Sequence, residues 1–119
     1  MTSSNEKTNR ILLVEDDFLV ALDAEDTLSS EGNEVAVATS VSEAIKIIGE
    51  VQVDCAILDF NLGNETVMPV VEQLRSRRVP YAIVSGADNK MLDSQFGSSP
   101  GVVFRKPADY SKVLREITL

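Results

Sequence analysis

Five short apolar runs break up this chain: residues 11–14, 35–38, 55–58, 82–84 and 102–104. Each is continuous rather than alternating, the pattern of a strand buried on both faces. They predict strands over 10–14, 35–38, 54–58, 80–84 and 102–104. The segments between them carry helical spacing. A helix is expected over 18–30, with Phe18, Leu19, Leu22, Ala24 and Leu28 as its apolar positions and Gly32 as its stop. Ser40 and Glu43 stand in capping-box spacing ahead of Ala44, Ile45, Ile47 and Ile48, which predicts a helix over 41–49. "NLGNE" at 61–65 is expected to be a loop, followed by a helix to residue 77. Pro69 lies near the start of that helix, where its missing amide costs nothing. A short polar helix is expected over 88–96 through Met91 and Leu92, then a "GSSPG" loop at 97–101. Asp109 caps a last helix that places Val113, Leu114 and Ile117 on one face. Residues 1–9, "MTSSNEKTN", read as a flexible polar leader, and residues 10–119 as one domain.

Strand and helix alternate five times, which predicts an α/β fold: a doubly wound five-stranded parallel sheet with helices on both faces. In such sheets the ligand site lies beyond the carboxyl ends of the strands. Glu15, Asp16 and Asp17 follow the first apolar run, Asp59 the third, Ser85 the fourth and Lys106 the fifth. These residues are therefore expected along one edge.

Composition narrows the chemistry. With 19 acidic residues against 11 basic ones, a net charge of −8 and no histidine, the chain lacks the basic face of a nucleic-acid binder and any histidine metal site or triad. The single Cys55 sits inside an apolar run and has no partner for an internal disulfide or thiolate cluster. No apolar stretch approaches the length of a membrane span, and the first residues lack the apolar core of a signal peptide. A soluble cytoplasmic domain with no membrane or nucleic-acid partner is expected.

Carboxylates brought together at one edge repel unless a proton or cation intervenes, and Asp and Glu oxygens suit a hard divalent ion such as Mg2+. A carboxylate can also attack phosphorus to form an acyl phosphate, given a cation and donors for the phosphoryl oxygens. On that chemistry Asp59 is the nucleophile, Ser85 and Lys106 bind phosphoryl oxygens, and Asp16 with Glu15 form the metal side.

The stretches "ILLVEDD", "AILDFNLG", "YAIVSGAD" and "FRKPADY" together resemble the receiver domain of two-component response regulators over nearly the whole chain. The resemblance implies a flavodoxin-like sheet of strand order 2-1-3-4-5 and a phosphoacceptor switch rather than an enzyme, and with no effector encoded in these residues a single-domain form is expected. It makes Asp59 the phosphoacceptor and Glu15, Asp16, Asp59 and the Asn61 backbone carbonyl the Mg2+ site. Ser85 and Lys106 become the conserved hydroxyl and lysine, Gly86 the small neighbour that keeps the phosphoryl group accessible, and Lys106–Pro107 a cis peptide. The implied donor is a phosphohistidine on a sensor histidine kinase or phosphotransfer protein, with slow autodephosphorylation afterwards. Output to a protein effector is expected through the 86–104 region.

Three features depart from the family pattern. The stretch between Asp59 and Ser85 is short, so the third helix or its loop should be abbreviated. Val103 stands where a Tyr or Phe is usual, with Phe104 directed to the opposite face. Residues 88–101 are polar and carry Gly97, Pro100 and Gly101, so a disorder-to-order change there is expected to replace an aromatic rotamer switch. Two other readings compete. A haloacid-dehalogenase-type hydrolase would carry its nucleophile after the first strand and need room for a cap domain. A receiver-like module that binds proteins without being phosphorylated would not need the full acid, Asp, Ser and Lys set.

Overall fold

The apolar run after Arg10 becomes one of the innermost strands. In the computed structural model, which describes residues 9–86 and 102–118, it forms β1 (Arg10–Val14), with Ile11, Leu12, Leu13 and Val14 all buried. The other strands are β2 (Glu34–Ala38), β3 (Cys55–Asp59), β4 (Tyr81–Ser85) and β5 (Val102–Arg105). All pair in parallel in the order β2-β1-β3-β4-β5, the doubly wound order expected.

Successive side chains point to opposite faces of a strand, so each apolar run feeds two layers. Leu12, Val14, Ala56, Leu58 and Ile83 pack on one face against α2 (Val41–Glu50) and α3 (Met68–Ser76), through Ala44, Ile48, Val70, Val71 and Leu74. On the other face Ile11, Leu13, Cys55, Ile57, Ala82 and Val84 meet α1 (Phe18–Ser29) and α4 (Tyr110–Thr118), through Ala21, Ala24, Leu28, Val113 and Leu114. Val103 joins the first layer and Phe104 the second, as the strand period requires. Burial pushes the Cys55 thiol up to about 11, with the charge of Asp54 adding to it, so this thiol is a core group. Among the described residues no helix is long and apolar enough to cross a membrane.

The caps follow the sequence with one shift. Ser40 Oγ accepts from Glu43 N at 3.2 Å, but Glu43 Oε1 reaches one residue further back than a standard box and accepts from both Thr39 N and Thr39 Oγ1 at 2.7 Å. Asp109 Oδ1 accepts from Ser111 N and Lys112 N at the start of α4.

Three expectations need correction. Phe18, Leu19 and Leu22 are not core positions: they are 71%, 73% and 51% exposed. At about 100° per residue, the buried stripe Ala21, Ala24 and Leu28 lies on one side of α1, and Phe18, Leu19 and Leu22 lie on the other. The two alanines let the helix sit close to the sheet. Second, 61–65 is not a plain loop. Asn61–Leu62 and Glu65–Thr66 form a small antiparallel hairpin around Gly63 and Asn64. Gly63 has φ +59°, a conformation that glycine adopts without strain at the first position of a two-residue turn. Third, β3 and β4 begin and end one residue later than expected, so Asp59 and Ser85 are the last residues of their strands. The helix expected over 88–96 and the loop over 97–101 lie outside the described residues, as do residues 1–8 of the leader.

Candidate functional site

The parallel sheet brings the carboxyl ends of β1, β3, β4 and β5 to one edge. Glu15 continues β1: its N–H donates to Ala38 O at 3.0 Å, which turns its side chain into the protein. Phe60 N–H donates to Val84 O in the same way and fixes Asp59 at the end of β3. Glu15 is 1% exposed and Asp59 5%, so both carboxylates sit in a poorly solvated place.

Lys106 offsets that cost. Its Nζ lies 3.0 Å from Glu15 Oε1 and 3.3 Å from Asp59 Oδ2. The Lys106 N–H donates to Ser85 O at 3.0 Å, extending the β4–β5 pairing by one bond, and the following Lys106–Pro107 peptide is cis as expected. The remaining carboxylate oxygens have backbone donors. Asp17 N donates to Glu15 Oε2 at 3.1 Å, and Asn61 N donates to Asp59 Oδ1 at 3.2 Å.

This balance leaves Asp59 a reluctant anion. Burial, and then the hydrogen bond and charge of Glu15, push its carboxyl up to about 7, against the Lys106 charge and the Asn61 amide. For Lys106, burial works against the charge, but the bonds and charges of Glu15 and Asp59 outweigh it and hold the ammonium above its ordinary value.

The acidic run 15–17 separates into three places. Glu15 goes under Lys106. Asp16 is exposed, and one oxygen from each of Glu15, Asp16 and Asp59 falls within 4.8 Å of the others. Asp17 does not join them, because its Oδ1 caps α1 by accepting from Leu19 N and Val20 N at 3.0 and 3.2 Å. Oxygens on one Mg2+ ion stand up to about 4.2 Å apart, twice the ion–oxygen distance. Three carboxylates of this spacing, all hard donors, therefore fit such an ion after a small closure.

Ser85 is buried at the end of β4, the strand beside β3. Gly86 follows it, and a Cβ placed there would meet nothing within 4 Å among the described residues. Asn61 is exposed in the hairpin. Tyr110 is a residue that sequence reasoning passed over. It lines a cavity of about 480 Å3 beside Lys106, together with Leu19, Val20, Asp23, Pro107 and Ala108. Burial, aided by the Glu15 charge, pushes its phenol up to about 12, so it stays a neutral donor. Its only signal in the sequence was its place four residues after the lysine, inside "KPADY".

Comparison with known proteins points the same way. The response regulator receiver domain pattern matches residues 11–117. The alginate biosynthesis transcriptional regulatory protein AlgB of Pseudomonas aeruginosa is 33% identical over 75 residues, covering 63% of this chain and 17% of AlgB. This chain thus spans about a sixth of that relative's length. The solution structure of SdrG from Sphingomonas melonis Fr1 superposes with a TM-score of 0.77 at 31% identity, over 94% of this chain and 98% of SdrG. The response regulator TrrA of Thermotoga maritima, solved in complex with Mg2+-BeF, superposes with a TM-score of 0.77 at 19% identity, over 92% of this chain and 96% of that one. This last likeness is one of fold.

Proposed function

We infer, because this chain belongs to the response regulator receiver domain family of two-component signalling, that it is a switch set by phosphorylation of Asp59. One observation carries the reading: a buried strand-end carboxylate lies 3.3 Å from a lysine ammonium, with two further carboxylates beside it.

Ionised Asp59 attacks the phosphorus of a phosphohistidine on a sensor histidine kinase or a phosphotransfer protein. A bond forms between an Asp59 carboxylate oxygen and phosphorus while the phosphorus–nitrogen bond breaks. The electron pair stays with the imidazole, which takes a proton from solvent. Lys106 releases part of its hold on Asp59 and Glu15 to meet the incoming phosphoryl oxygens, and Ser85 donates its hydroxyl to another. When bound through Glu15, Asp16, Asp59 and the Asn61 carbonyl, Mg2+ would supply further positive charge against those oxygens. The donor set at the site and the Mg2+-BeF held by TrrA support that ion. Reset is slow hydrolysis: water attacks phosphorus, the bond to Asp59 breaks, and inorganic phosphate leaves. Among the described residues nothing lies within 4 Å of where a Gly86 side chain would begin, which leaves that water room.

The domain is then a regulatory acceptor in the cytoplasm, comprising residues 10–119. It passes its state to a protein effector through the 86–104 region, of which 87–101 lie outside the described residues. Its net charge of −8 argues against direct contact with nucleic acid or an anionic membrane.

Acetyl phosphate with Mg2+ tests the reading directly. Intact mass is expected to show one added phosphoryl group, labile to hydroxylamine, and none in Asp59→Asn, whose amide is no nucleophile. A label that persists in that variant overturns the assignment.

A further inference from the structure

The hairpin that follows β3 joins the carboxylate site to the start of α2 through side chains, beside the backbone bond from Glu15 N to Ala38 O. Its first strand begins at Asn61, whose N–H holds Asp59 Oδ1 at 3.2 Å. Its turn passes over Asp16: a Cβ on Gly63 would stand 3.8 Å from Asp16 Oδ2. Its second strand ends at Thr66, whose Oγ1 accepts from Met68 N at 3.2 Å at the start of α3. Between them, Glu65 reaches away from the hairpin, and its Oε1 accepts from Val41 N at 3.2 Å, in the first turn of α2.

That last contact is unusual in its economy. The first amides of a helix have no partner within it, and α2 already uses Ser40 and Glu43 for two neighbouring donors. Glu65 supplies a third acceptor from 24 residues away, and its charge faces the positive end of the α2 dipole. Leu62 pairs with Glu65 across the ladder and is buried, so this rung anchors the hairpin by an apolar side chain on one strand and a charged one on the other. Releasing Glu65 would leave the Asn61 end of the ladder freer to move away from Asp16 and Asp59.

We propose that Glu65 is a positioning residue for the cation site: by docking the hairpin on the α2 N-terminus it keeps Asn61 in register with Asp16 and Asp59. The proposal rests on the reading of that site as a Mg2+ site. It carries a reciprocal consequence. If docking of the hairpin favours the ion, the ion must favour docking, and the Val41 amide that Glu65 holds must respond to it.

The test is a Mg2+ titration of the full chain, followed by amide chemical shifts and exchange, in wild type, Glu65→Ala and Glu65→Gln. Loss of one exposed charge–helix contact is expected to weaken Mg2+ binding about twofold to fivefold in Glu65→Ala. Glu65→Gln, whose side-chain oxygen still accepts a hydrogen bond, is expected to lie nearer wild type. In wild type the Val41 amide is expected to shift and to exchange more slowly as Mg2+ binds, a readout that needs no variant to fold. The two failures separate cleanly. Wild type that binds no Mg2+ removes the ion and the proposal together. Wild type that binds it, with Glu65→Ala equally tight, overturns the role of Glu65 and leaves the site standing, even if Val41 shifts, because the bond from Glu15 N to Ala38 O also reaches that end of α2.

Discussion

Asp59 is a base kept where its charge is poorly solvated, and that has a measurable pH signature. Its ordinary value of 3.8 is raised to about 7 by burial and by Glu15. Between those two values the folded protein holds a proton that the unfolded chain has released, so stability falls as pH rises through that window. Without Mg2+, the melting temperature of wild type is expected to drop between about pH 4 and pH 7 more than that of Asp59→Asn, a variant without the titrating group. Equal slopes would show that Asp59 ionises as it does in water. Divalent binding runs the other way, since the ion competes with the proton, so Mg2+ is expected to bind more tightly across the same rise in pH. Asp16→Asn removes one of the repelling carboxylates. It is expected to cancel the thermal upshift that Mg2+ gives wild type while keeping or raising the metal-free melting temperature, and an unchanged upshift would misplace the site. How much of this could be read beforehand depended on the residue. Asp59 and Lys106 were legible because a charge that ends an apolar strand in a parallel sheet has one edge to go to. In the run Glu15, Asp16, Asp17 the metal side of Glu15 and Asp16 was legible, but the separate roles were not, because similar acids were divided by the path of the turn. One acid lies under Lys106, one faces the cation site and one caps a helix.

At the level of elements, the continuous strands were legible and the sides of the helices less so. Burial on both faces leaves an unbroken apolar signature, and all five runs became strands within a residue or so of the expected bounds. In α1, apolar residues occur on both sides of the helix, and hydrophobicity alone favoured the larger ones. Packing against the sheet kept the expected Ala24 and Leu28, added Ala21 and left Phe18, Leu19 and Leu22 outside. The hairpin was missed because two-residue strands are too short to show alternation. Its Gly63–Asn64 turn was the one available sign. The exposed side of α1 now has a use within the proposed function. Leu19 borders the cavity next to Lys106, where it would offer apolar surface to the proposed phosphohistidine donor. Leu19→Ser is therefore expected to slow phosphotransfer from a protein donor several-fold and to leave labelling by acetyl phosphate unchanged. Equal slowing of both would mean the site itself had been disturbed. The α2 cap gives a structural control: Ser40→Ala removes the acceptor for Glu43 N and is expected to cost about 1 kcal/mol by urea unfolding.

Over the whole molecule, the sheet separates two apolar layers, and the site is the place where strands shared by both layers end in polar groups. A phosphoryl group on Asp59 would bring almost two negative charges to that place. Lys106, bonded to Glu15 and Asp59, would be drawn to it, and so would the Ser85 hydroxyl. These two residues also bracket residues 87–101 in the chain, and their backbones are tied by the bond from Lys106 N to Ser85 O. Both attachments of that connection would thus be pulled by the same new charge. On β5, Val103 faces the α2–α3 layer as an aliphatic side chain, with no ring or hydroxyl to swing toward the site. Phe104 cannot substitute for it, because it lies in the opposite layer. Within the proposed function, the connection itself is therefore the expected route for the signal, through the 86–104 region. Amide exchange with and without beryllofluoride, a stable mimic of the acyl phosphate, is expected to show protection rising across 86–101 more than across residues 44–48 in the body of α2. The Val41 end of α2 is excluded from that comparison because Glu65 links it to the cation site. Protection that rises equally in both regions, or in neither, would mean that phosphorylation leaves the molecule by another path.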